Sequence, residues 1–293
     1  MKVLLAGANS YIGTHLIPVL LEKGHEVVCL VRDKGHFCKN NNYSGAVTVI
    51  GGDLLRRQTI EALPEDIDAA YYLVNPFTQT SEFAALGALS AHNFIEVVDQ
   101  INCRQIITLS DIKNRTTSDV LARLQVENIL SSGKPKLTVL NTTMIIGPGS
   151  TALEIFNALT AKTSIVIPQN WMKRRSQPIA TTDVLGHLEA CLLNEKTFNR
   201  KFDIGGPEIL SFKQMLLMYI VINKDFKPGI VALPFLTAQL SSHLLNALTP
   251  VSYPGARSLI ENLKHDTICR DDFIKDIVPI QCLTFKQSLR LIN

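Results

Sequence analysis

No stretch of this 293-residue chain approaches the roughly 20 consecutive apolar residues that a membrane span requires. The opening Met1-Lys2-Val3-Leu4-Leu5 has neither a longer apolar run nor a small-residue cleavage site, so no signal peptide is expected and the expected address is cytoplasmic. Charge of one sign is also lacking. The formal net charge is +3 with no long basic tract, which argues against nucleic acid as a partner. The six cysteines, Cys29, Cys38, Cys103, Cys191, Cys269 and Cys282, never come at the close paired spacing of a zinc or CxxC redox site, so they read as reduced packing thiols. Internal repeats and low-complexity segments are absent too. With 46% hydrophobic and 19% charged residues, what remains is an ordinary globular composition, long enough for a sizeable core.

Strand-like and helix-like patterns alternate through the first half. Strands are expected at Val3–Ala8, Glu26–Arg32, Val47–Ile50, Ala69–Val74, Gln105–Ser110 and Leu137–Ile146, and helices near 13–24, 57–63, 82–100 and 117–131. The strands are apolar throughout rather than alternating, as a parallel sheet covered on both faces requires. Right-handed crossovers then make the fold class α/β, a Rossmann-type doubly wound parallel sheet. After Gly149 the rhythm loosens to a helix at about 151–162, a short strand at 164–167, a polar loop with Trp171 and Lys173-Arg174-Arg175, a helix from Thr182-Asp183 and a strand at Lys201–Ile204. From about 228 the pattern is mostly helical. Residues 1–150 are therefore read as a nucleotide-binding core, and 151–293 as sheet completion plus a small, mostly helical C-terminal lobe on the substrate side.

The strongest chemical signal is Gly7-Ala8-Asn9-Ser10-Tyr11-Ile12-Gly13, between the first strand and the first helix. Gly7 permits a tight turn and Gly13 close helix–strand packing, while the helix N-terminus offers unpaired N–H groups to a pyrophosphate. Ser10 stands where a middle glycine would be, and its side chain must point away from the phosphates or bond to one. Arg32 ends the second strand, where a basic residue suits a ribose 2′-phosphate; NADP(H) is favoured over NAD(H). Asp33 follows it at once, and Lys34 to Ser44 reads as a loop. Asp53 and the neighbouring Leu54 backbone could meet the adenine; alternatively Asp53 is a cap or turn residue. Lys173-Arg174-Arg175 could receive a phosphate or carboxylate, or be a solvated loop. His15, His25, His92 and His187 have no paired nucleophile nearby and read as packing or surface residues.

The runs LLAGANSYIG, LVRD, GGDL, YYLVNPF, ITLSD, IIGPGS, QPIATTDVL and FDIGGPE resemble the atypical and extended short-chain dehydrogenase/reductases, and more narrowly the NAD(P)H-binding proteins labelled nucleoside-diphosphate-sugar epimerase-like. Larger members carry a further C-terminal domain, for which this chain is too short. The resemblance implies that Val74, Asn75 and Thr143 to Ile145 line the nicotinamide half of the cofactor. It also implies a Tyr-x-x-x-Lys pair on the helix after the fifth strand, with Ser110 beside it. Aligning by Glu127 puts Asp119 at the Tyr position and Arg123 at the Lys position, and no Tyr lies between residues 73 and 218. Ser110, Arg123 and, least of the three, Asp119 are the candidate catalytic residues. The expected activity is NADPH-dependent reduction of a small carbonyl compound or quinone. The alternatives are a cofactor-binding sensor or scaffold without turnover, and a sugar-nucleotide epimerase. A small-molecule substrate, no metal, and a monomer or homodimer complete the expectation.

Overall fold

A computed structural model describes residues 1–40, 43, 45–74, 81–112, 118–160, 164–168, 172–223, 229–233 and 265–291. Its frame is one seven-stranded, all-parallel sheet in the order β3-β2-β1-β4-β5-β6-β11, built from β1 (Lys2–Ala6), β2 (Glu26–Val31), β3 (Val47–Gly51), β4 (Ala69–Tyr72), β5 (Gln105–Asp111), β6 (Lys136–Thr142) and β11 (Arg200–Ile204). Consecutive residues of β1 explain why its sequence is apolar throughout. Val3 and Leu5 face one buried layer, with Leu16, Ile17 and Leu20 of α1 (Tyr11–Glu22) and Val184 and Leu188 of α6 (Thr181–Ala190). Leu4 and Ala6 face the other, with Ala91 and Phe94 of α3 (Ser81–Val98) and Leu130 of α4 (Ser118–Ser131). Both faces exclude water, so neither can carry the polar half of an alternating strand. The sheet is thus doubly wound, as expected.

Four local readings change. The segment after Arg32 is a helix, α2 (Lys34–Asn40), because the Asp33 carboxylate accepts the His36 N–H at 2.8 Å and caps it. The helical pattern at 57–63 is only a 3₁₀ turn at Arg57–Thr59. There the Thr59 hydroxyl bonds the backbone of Asp53 and Arg56, and the Asp53 carboxylate accepts the Leu55 N–H, which competes with helix formation. The sixth strand stops at Thr142; Ile145–Ile146 forms a separate β7 that pairs with β10 (Ile179–Ala180). Finally, Gly229–Leu233 at the start of the stretch read as helical is a strand, β13, parallel to β8 (Ser164–Pro168).

The second half adds the last sheet strand, β11, and a core of its own. Ile146, Phe156, Phe212, Met215, Tyr219, Phe285 and Leu289 pack together from β7, α5 (Thr151–Thr160), α7 (Phe212–Asn223) and α8 (Phe285–Arg290). Short β9 (Arg175–Ser176) pairs antiparallel with β12 (Leu210–Ser211) at its edge. Among the described residues no helix is long and apolar enough to cross a membrane.

A charged clamp ties the C-terminal segment to the sheet. Asp203, 3% exposed on β11, accepts from the backbone N–H, Nε and Nη2 of Arg270 and from Asn141 Nδ2 on β6, all within 2.7–3.0 Å. Burial alone would raise the Asp203 carboxyl, but the bonds from Arg270 and Asn141 outweigh it and hold it below the ordinary value. Its contribution is therefore fully present above the unfolded-chain pKa of about 4 and is lost as pH falls through the lowered folded value. Asp203→Asn should cost about 1–3 kcal/mol at neutral pH and flatten the acid limb of stability against pH below about 4. Urea unfolding at several pH values measures both; an unchanged acid limb would mean that the clamp does not report on Asp203.

Candidate cofactor and substrate site

All the sequence-derived candidates within the described residues lie at or just beyond the C-terminal ends of the parallel strands. β1 has β2 on one side and β4 on the other, so the chain leaves it toward opposite halves of the sheet, and a crevice opens at this switch point. Gly7 closes β1 with φ +92°, a conformation that side chains rarely adopt, and a Cβ there would stand 2.5 Å from the Leu73 carbonyl oxygen after β4. Gly13 is held more tightly still. A Cβ on it would meet the Gly7 carbonyl oxygen at 2.2 Å.

The Ser10 side chain caps α1, its hydroxyl oxygen accepting the Gly13 N–H at 3.0 Å. The Ser10 N–H goes to Gly7. Among the described residues the N–H groups of Tyr11 and Ile12 have no acceptor, as the first turn of a helix requires. They supply the anion-binding end, with the partial positive charge of the helix behind them. Asn9 is exposed beside them. The Tyr11 ring turns away: its hydroxyl shares a 2.8 Å hydrogen bond with Thr181 Oγ1 at the start of α6, and a Cβ on Gly147 would strike both hydroxyls. Tyr11 thus fastens the loop to the second half of the chain.

Arg32, beyond β2, is exposed, and its guanidinium has no protein partner among the described residues; Asp33 is occupied with capping α2. Asp53, beyond β3, is half-buried and its carboxylate sits in a turn, the alternative foreseen for it. Leu54 is buried, and its carbonyl accepts from Asn93 on α3. Val74 is half-buried beyond β4; Asn75 and Trp171 lie outside the described residues.

Ser110, near the end of β5, is half-buried, and its hydroxyl makes no hydrogen bond among the described residues. Arg123 projects from α4 toward this end of β5, where its Nη1 donates to Asp111 Oδ2 at 2.9 Å. Asp111 is the partner of Arg123 that the sequence reading passed over; its signal was the opposite charge standing next to Ser110 within ITLSD. Asp119 belongs to α4, and its side chain lies outside the described residues. Glu127, used to align that helix, is buried and paired with Lys201 on β11. Thr143 is buried beyond β6, and its hydroxyl donates to the Gln177 carbonyl. A narrow cleft opens there, lined by Ile112, Thr142, Thr143, Met144 and Arg174 among others.

His187 and Cys282 stand together away from this edge. His187 is buried, which pushes its pKa down to about 4, and its Nε2 stands 3.8 Å from Cys282, whose thiol burial pushes up to about 11. A neutral imidazole beside a protonated thiol is no nucleophile at neutral pH. The His15 ring bonds the Tyr11 carbonyl and lies 4.6 Å from the Tyr11 ring. All six cysteines are free thiols, and no group of three metal-ligating side chains occurs among the described residues.

Residues 7–134 match the family model described as NAD(P)H-binding. The chain is 24% identical over 210 residues to the mitochondrial NADH-ubiquinone oxidoreductase 40 kDa subunit of Neurospora crassa, covering 69% of this chain and 55% of that one. It spans about half of that relative's length and smaller shares, 21% and 35%, of two other curated relatives that it matches. Among solved structures it superposes on the Citrobacter sp. triphenylmethane reductase complexed with NADP(H) at a TM-score of 0.78, with 12% identity and complete coverage of both chains. A nucleoside-diphosphate-sugar epimerase from Staphylococcus aureus gives 0.76, with 15% identity, over 99% of this chain and 100% of that one. The glycine loop on β1, the strand order at the switch point and the match of residues 7–134 to the NAD(P)H-binding family model agree, and the two superpositions show that the chain shares the fold of these proteins.

Proposed function

We propose that this protein binds NADP(H) across the β1/β4 switch point and reduces a small carbonyl compound or quinone beyond β5. The observation that carries the reading is the line of features along one sheet edge, in the order a dinucleotide needs. The exposed Arg32, without a protein partner among the described residues, stands beyond β2, the Tyr11 and Ile12 N–H groups stand beyond β1, and Ser110, whose hydroxyl makes no hydrogen bond among the described residues, stands near the end of β5, two residues before the cleft-lining Ile112. In this reading Gly7, Asn9, Ser10, Tyr11, Ile12 and Gly13 form the pyrophosphate loop, with Ser10 acting through the cap it provides. Arg32 takes the 2′-phosphate, and Asp53 and Leu54 border the adenine. Val74, Asn75 and Thr143 border the nicotinamide.

The reduced nicotinamide, when bound, supplies a hydride. The chain's own part is to orient the acceptor and to donate to the oxygen that gains charge, a task we assign to Ser110. Asp111 holds Arg123 as a fixed cation at the end of β5. An acceptor that is already electron-poor needs little acid catalysis, which fits a site without a tyrosine between residues 73 and 218. The same absence weighs against sugar-nucleotide epimerisation, which relies on a tyrosine base. The Asp111–Arg123 pair favours one second reading, a nucleotide-binding sensor or scaffold without turnover, because a cation neutralised by its neighbour acts weakly on a substrate. Oxidation of NADPH against a panel of quinones and aldehydes decides between the two; no turnover with any acceptor, alongside tight nucleotide binding, selects the sensor.

Three variants test the assignment of residues. Gly13→Ala should lose most affinity for both dinucleotides in calorimetric titration, since its Cβ forces the Gly7 carbonyl and the helix N-terminus apart; retained affinity would sink the loop as the binding site. Arg32→Glu should weaken NADPH by roughly 1.5–3 kcal/mol, about 10- to 150-fold, and NADH far less, whereas equal losses would show that Arg32 does not touch a 2′-phosphate. Ser110→Ala should lower kcat by about 10²-fold, the usual effect of losing one donor to a developing oxyanion, with the NADPH Kd unchanged; undiminished turnover would place the substrate oxygen elsewhere.

A further inference from the structure

We infer that the hydrogen bond between Tyr11 and Thr181 is a positioning contact that couples dinucleotide binding at the loop to the docking of the second half of the chain, with Gly147 supplying the space it needs. This rests on the reading of Gly7 to Gly13 as the pyrophosphate loop. Tyr11 contributes two groups to the argument. Its backbone N–H is one of the two left without an acceptor among the described residues at the start of α1, and its hydroxyl lies 2.8 Å from Thr181 Oγ1, 170 residues along the chain. The ring between them is held in place: the His15 ring lies 4.6 Å from it, and His15 Nδ1 stands 2.8 Å from the Tyr11 carbonyl oxygen.

The bond sits at a seam between two cores. β7 and β10 run parallel with Ile146 opposite Ala180, so Gly147 and Thr181 leave the pair side by side. Ile145 packs against the core of the parallel sheet, and Ile146 belongs to the core that Phe156, Phe212 and Phe285 build in the second half. Gly147 also leads into α5, since its carbonyl accepts the Ser150 N–H and the Ser150 carbonyl accepts the Glu154 N–H. A Cβ on Gly147 would stand 2.1 Å from Thr181 Oγ1 and 2.7 Å from the Tyr11 hydroxyl, so no side chain fits beside this pair. Thr181 is buried, and loss of the phenol would leave its hydroxyl without a side-chain partner among the described residues. The contacts of Gly7, Gly13 and Ser10 fix the loop to β1 and α1, whereas the Tyr11 hydroxyl fixes it to the start of α6. Ordering the loop around a pyrophosphate and seating the second half therefore share one contact, and whatever favours one favours the other by the same factor.

Calorimetric titration of the full chain with NADPH and with NADH tests the coupling. Tyr11→Phe should raise both Kd values about 3- to 10-fold, the usual size of one neutral hydrogen bond, and Thr181→Val should do the same. The double variant should be no weaker than either single one, and Thr181→Ser, which keeps a hydroxyl, should bind as the parent does. Tyr71→Phe is the control for a general loosening of α6: the Tyr71 hydroxyl donates to the Leu188 carbonyl at 2.9 Å, far from the loop in α6, and its loss should leave both Kd values at the parent's. Hydrogen exchange should show that NADPH slows the first turns of α5 and α6 in the parent and not in Tyr11→Phe. Unchanged Kd values in Tyr11→Phe, losses that add in the double variant, an equal loss in Tyr71→Phe, or protection of α5 and α6 that survives Tyr11→Phe overturns the inference. Gly13→Ala separates it from the reading on which it rests. Affinity lost in Gly13→Ala but kept in Tyr11→Phe overturns the coupling alone, whereas affinity kept in Gly13→Ala overturns the loop assignment and the coupling with it.

Discussion

The contact between Gly13 and the carbonyl oxygen of Gly7 is the constraint on which the rest of the site depends. Neither glycine has room for a Cβ, so the first turn of α1 lies directly over the end of β1. That closeness brings the unpaired N–H groups of Tyr11 and Ile12 to the C-terminal edge of the sheet, where the crevice between β1 and β4 opens. The Ser10 cap satisfies the Gly13 N–H, which fixes the helix start without filling the crevice. A wider turn would move the positive end of the helix away from the point where strand order reverses, and the dinucleotide site would lose its pyrophosphate anchor.

The second half of the chain completes this edge rather than standing apart from it. β11 extends the sheet beside β6, and the buried Asp203 on it clamps the segment around Arg270. Tyr11 reaches from the nucleotide loop to Thr181, so a hydrogen bond ties the loop to the start of α6. The polar network around Gln177 does similar work on the substrate side: its side chain bonds Gly206 and Cys269, and its carbonyl takes the Thr143 hydroxyl. The walls of the cleft therefore come from both halves.

A common frame does not carry a common activity. The structures on which it superposes include a triphenylmethane reductase and a nucleoside-diphosphate-sugar epimerase, and at 12–15% identity the shared property is the fold. What the end of β5 presents is an ion pair of Asp111 with Arg123 of α4 and a Ser110 hydroxyl that makes no hydrogen bond among the described residues. Such a pair can hold charge and orient a polar group.

Much of this was legible in the residues. Runs such as Val3–Ala6 are apolar on every position because both faces of the sheet are covered, which is a local property of a parallel strand; the glycines at 7 and 13 announce a turn that tolerates no side chain. Capping chemistry was legible in principle, yet Lys34 to Ser44 was read as a loop when the Asp33 carboxylate starts α2, and the bonds that Thr59 makes to nearby backbone were invisible in a helical hydrophobic pattern. Residues far apart in the chain were not legible at all. The partner of Arg123 is Asp111, that of Asp203 is Arg270, and Met144, Arg174 and Met215 line one narrow cleft only because the ends of β6 and β9 and helix α7 converge. The sequence by itself determined the strand order's raw material, the dinucleotide loop and the missing tyrosine, since each depends on neighbours within a turn or two. Only the tertiary structure decided which charges neutralise one another and which stay available, because Coulomb and hydrogen-bond energies fall off over a few ångströms and that proximity is set by folding.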